Sequence, residues 1–157
     1  MNITLAVIGK TAEEYLQAGE RLFLSRLRHY AKINLLEIPQ VKKPGGFTPA
    51  EQKKHEAKHL LKLIDKFDYT ILLDERGKQY SSTEFAKKLQ LFMNRGLNNL
   101  LFVVGGPYGF DEVVLSMANE NLSLSKMTFS HQMVRLFFLE QLYRAFTIIR
   151  GEQYHNR

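Results

Sequence analysis

After an apolar stretch that stops at Gly151, the sequence closes with EQYHNR, setting a phenol (Tyr154), an imidazole (His155) and a guanidinium (Arg157) close together. An imidazole titrates near neutrality and can take up a proton, and a phenol can stack on or hydrogen-bond a ring. Chain ends are commonly unstructured, so the segment reads either as a frayed tail or as a carrier of chemistry. HEAKH (55–59) has the two-histidine spacing of zinc peptidases, where histidines four apart bind the metal and the glutamate activates water. At about 100° per residue, however, the apolar stripe Ala57, Leu60, Leu61 and Ile64 lies opposite His55 and His59, which share their side with Lys58 and Lys62. Lysines repel a dication, so HEAKH reads as a charged outer helix face and no metal is expected. GKT (9–11) has the ending of a phosphate-binding loop, but Thr4 stands where that loop requires glycine.

VVGGPYGFD (103–111) is better placed. Its glycines directly follow an apolar run, Asp111 can cap a following helix, and bare backbone at Gly105 and Gly106 lets a ligand approach where open α/β sheets bind them. The spacing is not the dinucleotide fingerprint, so a tight structural turn and a cofactor site are both open on this pattern.

The elements that would position these residues come from periodicity. Apolar, β-branched runs recur at 3–8 (ITLAVI), 33–38 (INLLEI), 69–73 (YTILL) and 100–104 (LLFVV). Each is nearly continuous, the pattern of strands buried on both faces of a parallel sheet. Helical patterns lie between them. The first carries Tyr15, Leu16, Gly19, Leu22, Phe23, Leu27 and Tyr30 on one stripe. The second opens with TPAE, where Thr48 caps, Pro49 suits the first helical position and Glu51 can close a capping box; the third opens with SSTE (Ser81, Glu84) and stops at Gly96. Alternating strands and helices predict an α/β fold, a mostly parallel sheet with flanking helices, in a single domain over 1–157. The basic stretch PQVKKPGGFTP (39–49) is the one long loop, either a mobile connection or an RNA-contacting arm.

The last third ends in a helix predicted over 131–149, apolar nearly all round. Such a helix needs cover on every side, and in a chain of this size a second copy is the simplest cover, which predicts a symmetric homodimer. Glu140 and Arg144, four apart, can pair along the helix, whereas Arg135 beside so much apolar surface calls for an anionic partner. With no cysteine, no disulfide or thiolate site is possible; with no leader and no membrane-length apolar run, the expected location is cytoplasmic. A net charge of +6 makes a polyanionic partner plausible.

Taken together, ITLAVIGK, LLDERGK, VVGGPYG, LSLSKMTFSHQMVR, EQLYRAF and RGEQYH resemble, over the whole chain, the RlmH family of the SPOUT superfamily, which methylates ring nitrogen 3 of a pseudouridine in large-subunit (23S) ribosomal RNA. The resemblance implies S-adenosyl-L-methionine as cofactor, a deep trefoil knot near the C-terminus, a homodimer and a ribosomal RNA or ribosome substrate. It assigns cofactor contacts to Leu73, Gly105 and the run Leu124, Ser125, Lys126, Met127, Thr128 and Phe129. It also makes the tail functional. Extended across the dimer, Tyr154 would stack on the target base, His155 would accept its proton, and Arg144 would hold phosphate or the developing oxyanion. His131 is a second candidate base, with capping or packing as its other reading. A non-catalytic, basic RNA-binding protein is the alternative, and it would have no need of S-adenosylmethionine.

Overall fold

A computed structural model describes residues 1–156; Arg157 of the tail lies outside them. Five parallel strands, β1 (Asn2–Ile8), β2 (Lys32–Ile38), β3 (Tyr69–Gln79), β4 (Asn99–Val104) and β5 (Glu120–Ser123), form one sheet in the order β2-β1-β4-β3-β5. Helices α1 (Glu14–Leu27), α3 (Ser82–Asn94) and α5 (Met133–Ile149) cover one face, packing Leu27, Phe85, Leu89, Phe138 and Leu142 on Leu5, Ile71 and Phe102. The opposite face is covered by α2 (Pro49–Ile64) and α4 (Glu112–Met117), through Ala57, Leu60, Ile64 and Val114. Burial on both faces is why β1, β4 and the first half of β3 read as unbroken apolar runs.

The helix starts follow the expected chemistry. Ser81 Oγ accepts from Glu84 N at 3.2 Å while Ser81 N donates to Glu84 Oε2 at 2.7 Å, a complete capping box. Thr48 caps α2, but Glu51 reaches outward to Lys43 at 3.6 Å instead of back to Thr48. That bond helps to settle the 39–49 loop on α2: Lys43 also lies over the Phe47 ring, and Phe47 packs on His55 with centroids 4.4 Å apart.

Four expectations change. β2 is an edge strand, buried only at Ile33 and Ile38 and leaving Leu36 39% exposed, because no strand pairs with its outer side. Tyr15 and Leu22, placed on the buried stripe of α1, are exposed. The last helix, α5, starts at Met133 instead of 131, with Ser130 Oγ accepting from Met133 N at 3.1 Å, and is preceded by β5, a strand too short and polar to announce itself. Finally, β3 runs on to Gln79 through a register shift between Leu73 and Lys78. Gly77 makes that path possible, since a β-carbon there would stand 2.5 Å from the backbone of Asn121.

Candidate active site

Register brings Leu73, where β3 begins its bulge, beside Val104 at the end of β4 and Leu122 near the end of β5. Past Leu73 the chain bulges before it pairs again at Lys78, and past Val104 and Ser123 it leaves the sheet; the three loops so formed wall a cleft of about 450 Å³, within the usual range for a small-molecule site. The first loop is the β3 bulge, Asp74 to Arg76; the second is the glycine turn 105–109; the third is the run 124–129. Val134 and His131, at the entry to α5, close the floor.

Each loop is held from within. Ser123 Oγ donates to the Ser125 carbonyl at 2.7 Å, and Ser125 Oγ accepts from Met127 N at 3.0 Å. Thr128 donates to Glu75, tying the third loop to the first. Arg76 grips Asp74 through Nε and Nη2, both at 3.2 Å, and through its backbone N–H at 2.8 Å. Burial pushes the Asp74 carboxyl up, but the bonds from Arg76 outweigh it and hold Asp74 below the usual carboxylate range. His131 is pushed down by burial and by the Arg135 charge, so its ring stays neutral to lower pH than a free imidazole.

Arg135 itself is fully buried. Its partners are backbone carbonyls: Ile8 at 2.7 Å, Gly9 at 2.9 Å and His131 at 3.1 Å, with Thr11 Oγ1 at 3.1 Å. The expected anion lies one hydrogen bond further, where Thr11 Oγ1 donates to Glu20 at 2.7 Å. Arg135 thereby locks the start of α5 to the end of β1, on the cleft's floor.

Of the residues assigned to the cofactor, Leu73, Gly105, Leu124, Ser125, Met127, Thr128 and Phe129 line the cleft, and Lys126 does not: its side chain is exposed to solvent. The catalytic candidates form a separate cluster. Arg144 Nη2 bonds Glu140 Oε1 at 2.5 Å, Tyr154 donates to Glu140 Oε1 at 3.0 Å, and Arg144 Nη1 lies 3.3 Å from His155 Nδ1. Tyr154 stacks on Tyr143 with centroids 4.7 Å apart. Burial, and then the bond to Glu140, raise the Tyr154 hydroxyl above its ordinary range. Tyr30 donates to Glu152 at 2.5 Å, and that bond pushes it up to about 12. The tail is therefore seated, but not over its own chain's cleft: Arg144 lies ten residues beyond Val134, roughly 15 Å along the helix axis.

Sequence reasoning missed Asp74, Glu75 and Arg76 as cleft residues, because the apolar run ends at Leu73 and the polar stretch beyond it carries no period of its own. Among the described residues no helix is long and apolar enough to cross a membrane, and no three His, Cys, Asp or Glu side chains gather as a metal group would. In HEAKH, Glu56 points into the protein against Gly106, away from the outer face of α2.

A parallel α/β sheet with a ligand-sized cleft at its carboxyl edge, walled by a glycine turn and a strand bulge, defines a small-molecule-binding α/β protein. The SPOUT methyltransferase family model, described as "Predicted SPOUT methyltransferase", matches residues 1–155. A protein of Christiangramia forsetii named ribosomal RNA large subunit methyltransferase H is 50% identical over 157 residues, covering 100% of both chains. One of the same name from Flavobacterium johnsoniae is 48% identical, again over 100% of each. The chain belongs to the SPOUT methyltransferase family, in the branch of these large-subunit ribosomal RNA methyltransferases. The crystal structure of a methylase family protein from Neisseria gonorrhoeae shares the fold, with TM-score 0.50 and 15% identity, covering 99% of this chain and 85% of that one.

Proposed function

We propose that this chain is an S-adenosyl-L-methionine-dependent methyltransferase acting on ring nitrogen 3 of a pseudouridine in 23S ribosomal RNA, in the cytoplasm and as a homodimer. The whole chain serves as one methyltransferase domain, its last third threaded as a trefoil knot. The observation that carries the dimer is the separation of the two clusters: within one subunit the cleft and the Arg144–Tyr154–His155 group sit toward opposite ends of α5. Met133 and Phe137, one turn apart on α5, are 38% and 39% exposed, a face that a second copy would cover.

The cleft suits the cofactor. Val104, Leu122 and Leu124 offer an apolar slot for a ring, Gly105 and Gly106 offer bare backbone, and Glu75 and Glu112 put negative charge on the wall for a sulfonium and an ammonium, Asp74 being paired with Arg76. When bound, the cofactor supplies an electrophilic methyl group. The chain's task is orientation and the removal of one imide proton. Tyr154, stiffened by its stack on Tyr143, presents a flat face for the base. A guanidinium only donates, so His155 Nδ1 faces Arg144 as an acceptor. On binding, His155 exchanges that contact for the imide proton, and Arg144 turns its freed donors toward the anionic ring or a phosphate.

The test is to incubate ribosomes from a strain lacking the enzyme with labelled methyl donor and map the mark. Methylation at nitrogen 3 of a single pseudouridine is expected; label on protein alone would overturn the assignment. A non-catalytic RNA-binding protein would bind ribosomes yet show no heat of S-adenosylmethionine binding in calorimetry.

A further inference from the structure

One helix of the fold carries charge that neither the cleft nor the core uses. On α2, Lys54, Lys58 and Lys62 recur every four residues and are exposed along one stripe, with exposed His59 beside them. The two acidic residues of this helix do not offset them: Glu51 is engaged by Lys43, and Glu56 is buried. Among the described residues none of the three lysines is in an ion pair. Like charges four apart disfavour the helix that bears them. A stripe kept against that local cost answers to something outside the chain, and a row of three cations with no acid before Asp65 at its foot complements a polyanion.

Position adds direction. As in any parallel α/β unit, α2 starts near the carboxyl edge of the sheet, and Lys53 in its second turn lines the cleft. The stripe runs from that mouth down the outer face of the molecule; at 1.5 Å per residue, Lys54 to Lys62 spans about 12 Å. Above it the 39–49 loop, seated on α2 through Lys43 and Phe47, adds exposed Lys42.

We infer that the Lys54–Lys58–Lys62 stripe of α2 is the RNA-docking ridge of the enzyme, holding the phosphate backbone of ribosomal RNA beside the target nucleotide. The inference rests on the ribosomal RNA reading above and names the face that meets the substrate. Phosphate contacts of this kind position a strand without reading its sequence, and each contributes about one unit to the salt dependence of binding.

The test compares K54Q/K58Q/K62Q with the wild type, and with K87Q/R95Q, which removes two exposed charges from α3 and its C-cap on another face, the effects being compared per charge removed. Binding to ribosomes from a strain lacking the enzyme is measured as a function of salt, alongside methyl-transfer kinetics. The triple variant should lose roughly tenfold or more in ribosome affinity near physiological salt, with a log–log salt slope shallower by about 2 to 3. KM for ribosomes should rise while kcat and S-adenosylmethionine affinity hold, and K87Q/R95Q should move the slope far less. Because the chain has no cysteine, D65C at the foot of the stripe carries a unique photo-crosslinker without removing any ridge lysine. Crosslinks to 23S RNA are expected; crosslinks to ribosomal proteins alone, or a triple variant with wild-type slope and KM, would overturn the ridge. Binding without a methyl mark would sink the reaction and leave the ridge standing; methylation with unchanged slope would do the reverse.

Discussion

Gly106 faces the buried carboxyl of Glu56 so closely that a β-carbon at position 106 would stand 1.9 Å from Glu56 Oε1. The glycine turn of the cleft is thus pressed against α2, and the absence of a side chain there is a packing requirement. Gly106→Ala should destabilise the protein by roughly 1–3 kcal/mol as an overpacking change and weaken S-adenosylmethionine binding, read by denaturation and calorimetry. Since the clashing atom belongs to a side chain, adding Glu56→Ala should recover part of the loss. Strictly additive effects in that double-mutant cycle would contradict the contact.

Glu56 also makes stability depend on pH. Burial raises its carboxyl to about 7, with the hydrogen bond from Gln52 opposing more weakly, and Oε1 has no partner among the described residues. A carboxyl whose folded pKa exceeds its unfolded one binds more protons in the folded state. Its contribution is full below about 4.5 and is lost as pH rises through about 7. Glu56→Gln should therefore gain roughly 1–3 kcal/mol relative to wild type between pH 5 and pH 8 in chemical denaturation; parallel pH profiles for the two proteins would exclude this account.

Arg135 satisfies three carbonyls and a hydroxyl from inside the core. Arg135→Met keeps bulk but leaves those acceptors bare and takes from Glu20 the nearby positive charge. A loss of roughly 3–5 kcal/mol, or failure to fold, is expected. Glu20→Gln, which touches Arg135 only through Thr11, should cost much less. A mild effect at Arg135 with a severe one at Glu20 would reverse the assigned hierarchy.

The proposed sharing of the site between two subunits makes a quantitative demand. Mixing His155→Ala chains with Gly105→Val chains, each inactive alone, should restore about a quarter of wild-type activity: half of the random dimers are mixed, and each holds one intact pair of cleft and tail. Folding of both variants is checked by circular dichroism. Activity absent from the mixture, with dimers confirmed, would place both groups in one subunit.

His131 supplies a further check. It lines the cleft in the same chain as the residues proposed for the cofactor, with burial and the Arg135 charge pushing its pKa down. If His155 takes the proton, His155→Ala should lower kcat by two orders of magnitude or more while His131→Asn mainly raises the Kd for S-adenosylmethionine. The opposite partition would move the base to His131.

Short-range physics was readable directly. Ser81 and Glu84 form their capping box because both partners lie within one turn, and Gly105 follows directly on β4 because the apolar run stops at Val104, whereas Leu73, where its own apolar run ends, lies within β3. The strands β1, β3 and β4, the alternation with helices and the ends of most elements follow from the same local rules. Resemblance, and not periodicity, singled out the run 124–129 and the tail.

Tertiary structure alone decided what depends on distant partners. β5 exists because four residues find the edge of β3, and β2 is half exposed because nothing pairs beyond it. Asp74 to Arg76 became cleft residues when β3 slipped register around Gly77. The carbonyls that Arg135 needed lie 126 and 127 positions away, and the tail folded along α5 toward the end far from the cleft. Sequence spacing encodes which atoms meet only while they share a turn or a strand. Once the partners are a hundred residues apart, chain entropy leaves their meeting to the packing of the whole.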